Sequence, residues 1–224
     1  MKYHKELTTA ERIQYLLSLL LQASLLVAIG YALVLSNWQV LFISTLSYFL
    51  TLLPAFISRN VSIHLPIEFE LALIFFVYTA IFLGEAANFY GLFWWWDVFL
   101  HTLSGLFFGF AAFLVFYTLW VSGRLVAKPY LVAIFVCAFG LALGTLWEIF
   151  EFVIDATLGT FTQGASLHDT MWDLINDFLG AIVASLVGLL YMRREGMSRG
   201  FFHVLVQKFA ARNPELVRFI ERKL

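Results

Sequence analysis

Six apolar runs, each near the ~20 residues that cross a bilayer as a helix, leave this chain few folds to choose from. A spanning helix satisfies its backbone hydrogen bonds internally, which is the condition hydrocarbon imposes. Charged residues make up only 13% of the 224-residue chain against 62% apolar content, outside the range of a soluble domain. The expected fold is therefore all-α: a polytopic integral membrane helical bundle of about six transmembrane helices with a C-terminal amphipathic helical tail. The spans fall near Ile13–Leu35, Trp38–Ile57, Pro66–Leu83, Trp96–Val121, Pro129–Asp155 and Thr170–Met192. Residues 1–192 are expected to form the transmembrane domain and 193–224 the cytoplasmic tail. Thr8 and Glu11 have capping-box spacing ahead of the first span. Ser36–Asn37 makes a tight corner after it, and Pro66 suits a first helical turn. No cleavable signal peptide is expected. Cys137 is the single cysteine, so no intrachain disulfide is possible, and its surroundings (FVCAFG) suit a small buried hydrophobe.

The basic residues set the expected orientation. Lys2, Lys5 and Arg12 precede the first span, Arg59 lies between the second and third, and Arg124 and Lys128 lie between the fourth and fifth. Arg193, Arg194 and Arg199 follow the sixth. The alternate loops 36–37, 84–95 and 156–169 carry neither Lys nor Arg. Under the positive-inside rule, this alternation predicts a multi-pass protein with both termini in the cytoplasm. Trp94, Trp95 and Trp96 would anchor the outer interface, and Trp120 and Tyr130 the inner one. In the tail, Phe202, Leu205, Val206 and Phe209 share one side against Arg199, Lys208 and Arg212. Asn213–Pro214 has the form of a new helix start. A helix or helix pair lying on the cytoplasmic leaflet is expected, with docking on a cytoplasmic partner as the competitor. The tail is too short and apolar for a nucleic-acid module.

Against this apolar background the acidic residues are conspicuous. Within Leu167–Ala181 (LHDTMWDLINDFLGA), Asp169, Asp173 and Asp177 recur every four residues and share a helical face. Glu148, Glu151 and Asp155 do the same on the last turns of the fifth span, and Asp97 and His101 occupy the first turns of the fourth. Glu85 and Asn88 follow the third. All lie in outer halves or outer loops. At ~1.5 Å per residue, Glu148 sits about 10 Å inward of Asp155, and Asp177 about 12 Å inward of Asp169. Antiparallel packing then levels Glu151 with Asp173 and Glu148 with Asp177, and His101 is expected near the Glu151–Asp173 level.

Carboxylates in hydrocarbon need a partner, and neither Lys nor Arg occurs in these outer portions. A divalent cation held by Asp97, His101, Glu148, Glu151, Asp173 and Asp177 is the economical expectation. Oxygen donors favour Mg²⁺ or Mn²⁺ and admit Ca²⁺; one imidazole leaves Zn²⁺ or Fe²⁺ open. The spacing matches neither H-E-x-x-H nor paired E-x-x-H motifs. Protonated carboxylates forming a hydrogen-bond network or proton path are one alternative. Helix caps and interface charges are the other: Asp169 has capping spacing from Ser166, and Asp155 suits a helix end. Asn176 could bond an acidic neighbour or substrate, while Trp147 and Trp172 suit packing and interface anchors. The small-residue series Gly105/Gly109, Gly140/Gly144 and Gly180/Ala184/Gly188 would let the helices approach closely.

Leu83–Glu85 (LGE), Trp96–Gly105 (WDVFLHTLSG), Trp147–Asp155 (WEIFEFVID) and Asp169–Gly180 (DTMWDLINDFLG) together resemble the bacterial YjdF-type inner membrane proteins grouped as DUF2238. The resemblance covers most of the third to sixth spans. It implies a polytopic protein of the bacterial inner (plasma) membrane and no particular reaction.

From the residues, the expected function is that of a divalent-metal-dependent membrane enzyme acting on a lipid-linked phosphate or diphosphate at the outer face. Carboxylates four apart can hold Mg²⁺ while the ion neutralises a phosphate beside the bilayer. The D-x-x-x-D spacing also occurs in intramembrane prenyl and CDP-alcohol transferases, whose other signatures this chain lacks. Asp97 and His101 are the candidate catalytic pair, with His101 either completing the metal shell or acting as general base. Membrane lipids are the expected partners. The absence of Arg or Lys counts against a bare metal–phosphate clamp. A cation or proton-coupled transporter is the second expectation, and a non-catalytic metal-stabilised scaffold or sensor the third.

Overall fold

A computed structural model describes the chain except for residues 1–7, 61–62, 160–161, 164–165, 194–200 and 215–224. The described helices are α1 (Thr9–Val34), α2 (Trp38–Leu50), α3 (Leu53–Asn60), α4 (Ile67–Val77), α5 (Phe89–Leu92), α6 (Trp96–Val121), α7 (Pro129–Leu158), α8 (Leu167–Arg193) and α9 (Phe201–Arg212). A π-helical stretch, Tyr78–Ala86, continues α4. Among the described residues, six segments are long and apolar enough to cross a membrane: Thr9–Val34, Trp38–Ile57, Ile67–Ala86, Trp96–Val121, Pro129–Thr157 and Leu167–Arg193. The chain is thus an all-α polytopic membrane bundle, as the apolar runs require.

Two spans differ from plain helices. The second breaks at Thr51–Leu52, between α2 and α3. Pro54 explains the break: its ring would clash with the Leu50 carbonyl four residues back, and it has no N–H to donate there. The third passes into wider π turns, closed by the Ala87 N–H on the Phe82 carbonyl at 3.2 Å.

The chain divides into two compact units, Met1–Trp94 and Trp95–Leu224. In the first, the expected capping box closes on α1: the Glu11 N–H donates to Thr8 Oγ1 at 3.2 Å and the Thr8 N–H to Glu11 Oε2 at 2.9 Å. Ser36 takes a left-handed backbone (φ 52°) at the corner, and Asn37 Oδ1 caps α2 by accepting from the Val40 N–H at 3.1 Å. The Gln22 amide donates to the Thr51 carbonyl and hydroxyl, both at 3.3 Å, so the break is tied back to α1.

The second unit is built on α6, α7 and α8. Contacts along α6 and α8 rise together: Gly105 meets Asp177, Gly109 meets Ala184, and Phe113 meets Gly188. These two helices therefore run parallel. Along α7 the order reverses, with Gly144 against Asp177, Gly140 against Ala181 and the Ala133 carbonyl accepting from Ser185 Oγ at 2.8 Å. The small-residue series expected to bring helices together lies at these crossings. A Cβ on Gly180 would overlap the Thr102 carbonyl and Leu106 amide of α6, and one on Gly105 would overlap the Asp177 carbonyl. Cys137 lines an apolar groove between α7 and α8 with Ala138 and Ile182.

The expectation that the tail's apolar stripe faces a leaflet is corrected here. Leu205, Val206 and Phe209 of α9 are buried, with α9 packed against α6. The link to the bundle is polar as well, since Tyr191 Oη and His203 Nδ1 lie 2.8 Å apart. Asn213 closes α9 by donating its amide to the Phe209 carbonyl at 2.7 Å. The second tail helix expected after Pro214 lies outside the described residues.

Gly180→Ala should overpack the α6–α8 crossing and cost about 1–3 kcal/mol, read as a lower unfolding temperature in detergent. Gly30→Ala, where an added Cβ meets nothing within 4 Å, should leave that temperature unchanged or raised.

Candidate metal centre

The centre forms where a glycine on each of α6 and α7 removes the barrier to close approach. Gly105 on α6 and Gly144 on α7 both pack against Asp177 of α8, the first on its carbonyl and the second on its carboxylate. Asp177 is fully buried. Its carboxylate faces Nδ1 of His101, with Oδ2 at 3.1 Å, and the Ser104 hydroxyl lies within hydrogen-bonding reach of its Oδ1. An ionised carboxylate only accepts, so Nδ1 is the donor in this pair.

The opposite ring nitrogen, Nε2, faces three further carboxylates from three helices. Asp97 Oδ1 of α6 lies at 3.5 Å, Glu148 Oε1 of α7 at 3.9 Å and Asp173 Oδ1 of α8 at 3.9 Å. Two ligands bound to one small cation at ~2.1 Å each stand no more than about 4.2 Å apart, and all three distances meet that limit. Asp97, His101 and Asp173 each offer one ligand atom within 4.8 Å of the others. They form a site capable of binding a divalent cation. His101 and Asp173 are buried, whereas about a third of the Asp97 side chain, 34%, remains exposed.

The donor chemistry fits such an ion. An Nε2 lone pair aimed at three carboxylates is repelled by them unless a proton or a metal ion stands between. Glu148 supports the same conclusion: it is only 3% exposed, yet its Oε1 makes no hydrogen bond among the described residues. A buried carboxylate oxygen left without a donor is costly, and a cation in front of it removes the cost.

The expected site residues are divided by this geometry. Asp97, His101 and Asp173 converge, and Glu148 approaches the same ring nitrogen of His101 at 3.9 Å. Asp177 stands on the other face of the imidazole, where it holds the ring. Glu151 is half-buried and accepts from Trp147 Nε1 at 3.0 Å, which makes Trp147 more than a packing anchor. The expected levels shift accordingly, with Glu148 rather than Glu151 nearest to His101. Asp155 anchors the loop after α7, accepting from the Thr162 N–H (2.8 Å), the Thr162 hydroxyl (2.7 Å) and the Gln163 N–H (3.0 Å). Ser166 caps α8 through the Asp169 N–H at 3.1 Å, as its spacing predicted. Asn176 is buried, and its amide nitrogen makes no hydrogen bond among the described residues. Trp172 donates to His168 Nε2 at 3.1 Å. Glu85 and Asn88 belong to the first unit, while every group of the centre comes from the second.

Two participants went unread in the sequence. Ser104 follows Asp97 and His101 at i+7 and i+3, so the shared face was visible in principle. Gln163, whose amide donates to the Glu148 carbonyl at 3.1 Å and lies 3.5 Å from Glu148 Oε2, sits in a loop with no periodicity to reveal it. A third signal was also present. Trp-Asp occurs in the first turn of α6 (Trp96–Asp97) and the second turn of α8 (Trp172–Asp173), with His101 and Asp177 each four residues after the Asp. Two parallel helices in register would place those pairs side by side.

A membrane-protein family model, described as "Predicted membrane protein (DUF2238)", matches residues 15–194. The chain belongs to this family. A protein of Thermotoga maritima, described only as uncharacterized, is 28% identical over 176 residues, covering 77% of this chain and 89% of its own. No solved structure matches the chain. The matched span of the DUF2238 model contains every residue of the centre.

Asp177→Asn should weaken Mn²⁺ affinity about 10–100-fold, the usual effect of losing the group that orients a ligating imidazole. Gly30→Ala, in the first unit where an added Cβ meets nothing within 4 Å, should leave affinity unchanged. Titration of free Mn²⁺ by its EPR signal measures both.

Proposed function

We propose that this DUF2238 protein is a divalent-metal-dependent membrane enzyme that transfers the phosphoryl group of a lipid-linked phosphate or diphosphate at the outer face. The convergence of Asp97 and His101 of α6 with Asp173 of α8, with Glu148 of α7 at 3.9 Å from the same imidazole nitrogen, carries this reading. Three carboxylates and one imidazole suit Mg²⁺ or Mn²⁺. Such an ion, when bound, polarises a phosphoryl oxygen and offsets its charge. In this arrangement His101 is a ligand through Nε2 rather than the general base, because Nδ1 is engaged by Asp177. Asp97, the most exposed of the trio, would hold the ion through one carboxylate oxygen. Through the other it would take the proton of an attacking water as the water's oxygen bonds to phosphorus and the P–O bond to the lipid breaks; that proton then passes to the leaving oxygen.

The ion also answers the objection that no Arg or Lys stands beside the carboxylates. The acidic series on α8 ends at Asp177; the buried positions of the next two turns are Gly180, Ala181 and Ala184, followed by Ser185, whose hydroxyl donates to the Ala133 carbonyl at 2.8 Å, and by Gly188, Tyr191 and Met192. The α6 face beyond Ser104 continues with Gly105, Gly109, Ala112, Phe113 and Leu114, and ends at Thr118, whose hydroxyl donates to the Leu114 carbonyl of its own helix at 2.7 Å. A centre closed on its inner side by small and apolar residues favours chemistry in place over passage of an ion across the bilayer. The alternation of basic loops supports inner-membrane placement with both termini in the cytoplasm and residues 193–224 on that side.

Purified protein in liposomes should release phosphate from ³²P-labelled polyprenyl phosphate or phosphatidic acid with Mn²⁺ or Mg²⁺, and not with EDTA. Asp173→Asn should lower the rate about 100-fold or more, the scale of losing a ligand-dependent electrostatic contribution. Metal-independent release, or release unchanged in Asp173→Asn, would refute the assignment.

A further inference from the structure

The face between α7 and α8 contains a cavity of about 650 Å³, set against the same outer turns that carry the acidic residues. Ile149, Phe152, Leu167 and Leu174 supply most of its apolar wall. Ile149 and Phe152 are more than half exposed, and both stand on a helix that crosses the bilayer. The cavity thus opens sideways, toward lipid. Glu148 forms part of its wall and also lies 3.9 Å from His101 Nε2. One side chain therefore belongs to both the cavity and the metal centre, and its Oε1 is the buried oxygen that lacks a hydrogen bond. Gln163, another wall residue, holds the far side of Glu148 through its backbone carbonyl at 3.1 Å.

We infer that this cavity receives the hydrocarbon chain of the substrate, which enters between α7 and α8 and brings its phosphate to the centre past Glu148. The inference rests on the metal-dependent reading above and adds the route and the substrate class: a membrane lipid with a phosphate head. Size agrees. At about 30 Å³ for a water-sized group, the volume holds on the order of twenty such groups, enough for one chain. Charge ties occupancy of the cavity to the metal. The charged wall residues are Glu148 and Asp155, both acidic. An anionic head is repelled by them unless a cation is already bound, so a phosphate lipid should occupy the cavity only in the metal-loaded protein. A neutral or zwitterionic lipid that merely coats the helices has no such requirement.

The test uses full-length protein in phosphatidylcholine nanodiscs with phosphatidic acid carrying a photoactivatable diazirine on its acyl chain. Crosslinked peptides are mapped by mass spectrometry with Mn²⁺ or with EDTA. Labelling should concentrate on residues 145–156 and 166–174 with Mn²⁺ and fall at least tenfold with EDTA. The equivalent diazirine phosphatidylcholine should label these residues weakly and without regard to Mn²⁺. Leu174→Trp, which fills the cavity, should remove the labelling while bound Mn²⁺ is retained. Ala156→Trp at the exposed rim does the same if Leu174→Trp does not fold. Equal labelling by the two lipids, labelling insensitive to EDTA, or labelling confined to other faces would overturn the inference while Mn²⁺ binding still stood. Absence of Mn²⁺ binding in the unmodified protein would instead overturn the metal-dependent reading and this inference with it.

Discussion

The imidazole of His101 stands between two sets of carboxylates, and the order of the second unit follows from keeping it there. Asp177 fixes Nδ1, while Asp97, Asp173 and Glu148 surround Nε2. In water such an arrangement would be screened. In a helical bundle crossing hydrocarbon the effective dielectric is low, so repulsion among the acids is large and an unpaired buried charge is expensive. A divalent cation beside Nε2 converts the same crowding into attraction.

The packing serves this geometry. Gly105, Gly144 and Gly180 are placed where any larger residue would push a backbone away from Asp177 or from α6. Parallel α6 and α8 bring Asp97 and Asp173 to one level, and antiparallel α7 supplies Glu148 from the other side. Ser104 and Gln163 then hold Asp177 and Glu148 in turn. Groups at this remove set the orientation and basicity of ligands they never share an ion with. The centre is therefore supported by helix interiors, which hold a geometry more tightly than loops do. Gln163 is the exception, and Asp155 anchors its loop through three hydrogen bonds.

The fold was largely legible because hydrocarbon demands long apolar helices, and a change of solvent along the chain is visible in composition. Trp96–Val121 emerged with the bounds its pattern predicted, and Thr8 with Glu11 formed the expected cap. The π turns over Tyr78–Ala86 were not legible, since α and π helices draw on the same apolar residues. The centre was legible as a set of faces rather than as contacts. Glu148 and Glu151 lie three residues apart on one side of α7, and spacing alone cannot say which of them meets His101. Gly144 decides it: one turn before Glu148, it brings the α7 backbone onto Asp177 and leaves Glu151 beside Trp147. Assigning Asp177 to the ring's other nitrogen likewise needed the rotation of α8 about its axis, which a four-residue repeat leaves open.

Pulsed EPR of the Mn²⁺-loaded protein in nanodiscs tests the central claim most directly, because it detects a nitrogen bonded to the ion. The expected spectrum shows coupling to a single imidazole nitrogen, and that coupling disappears in His101→Gln. A bound Mn²⁺ with no nitrogen coupling, or coupling that survives His101→Gln, would contradict a centre built on His101 Nε2.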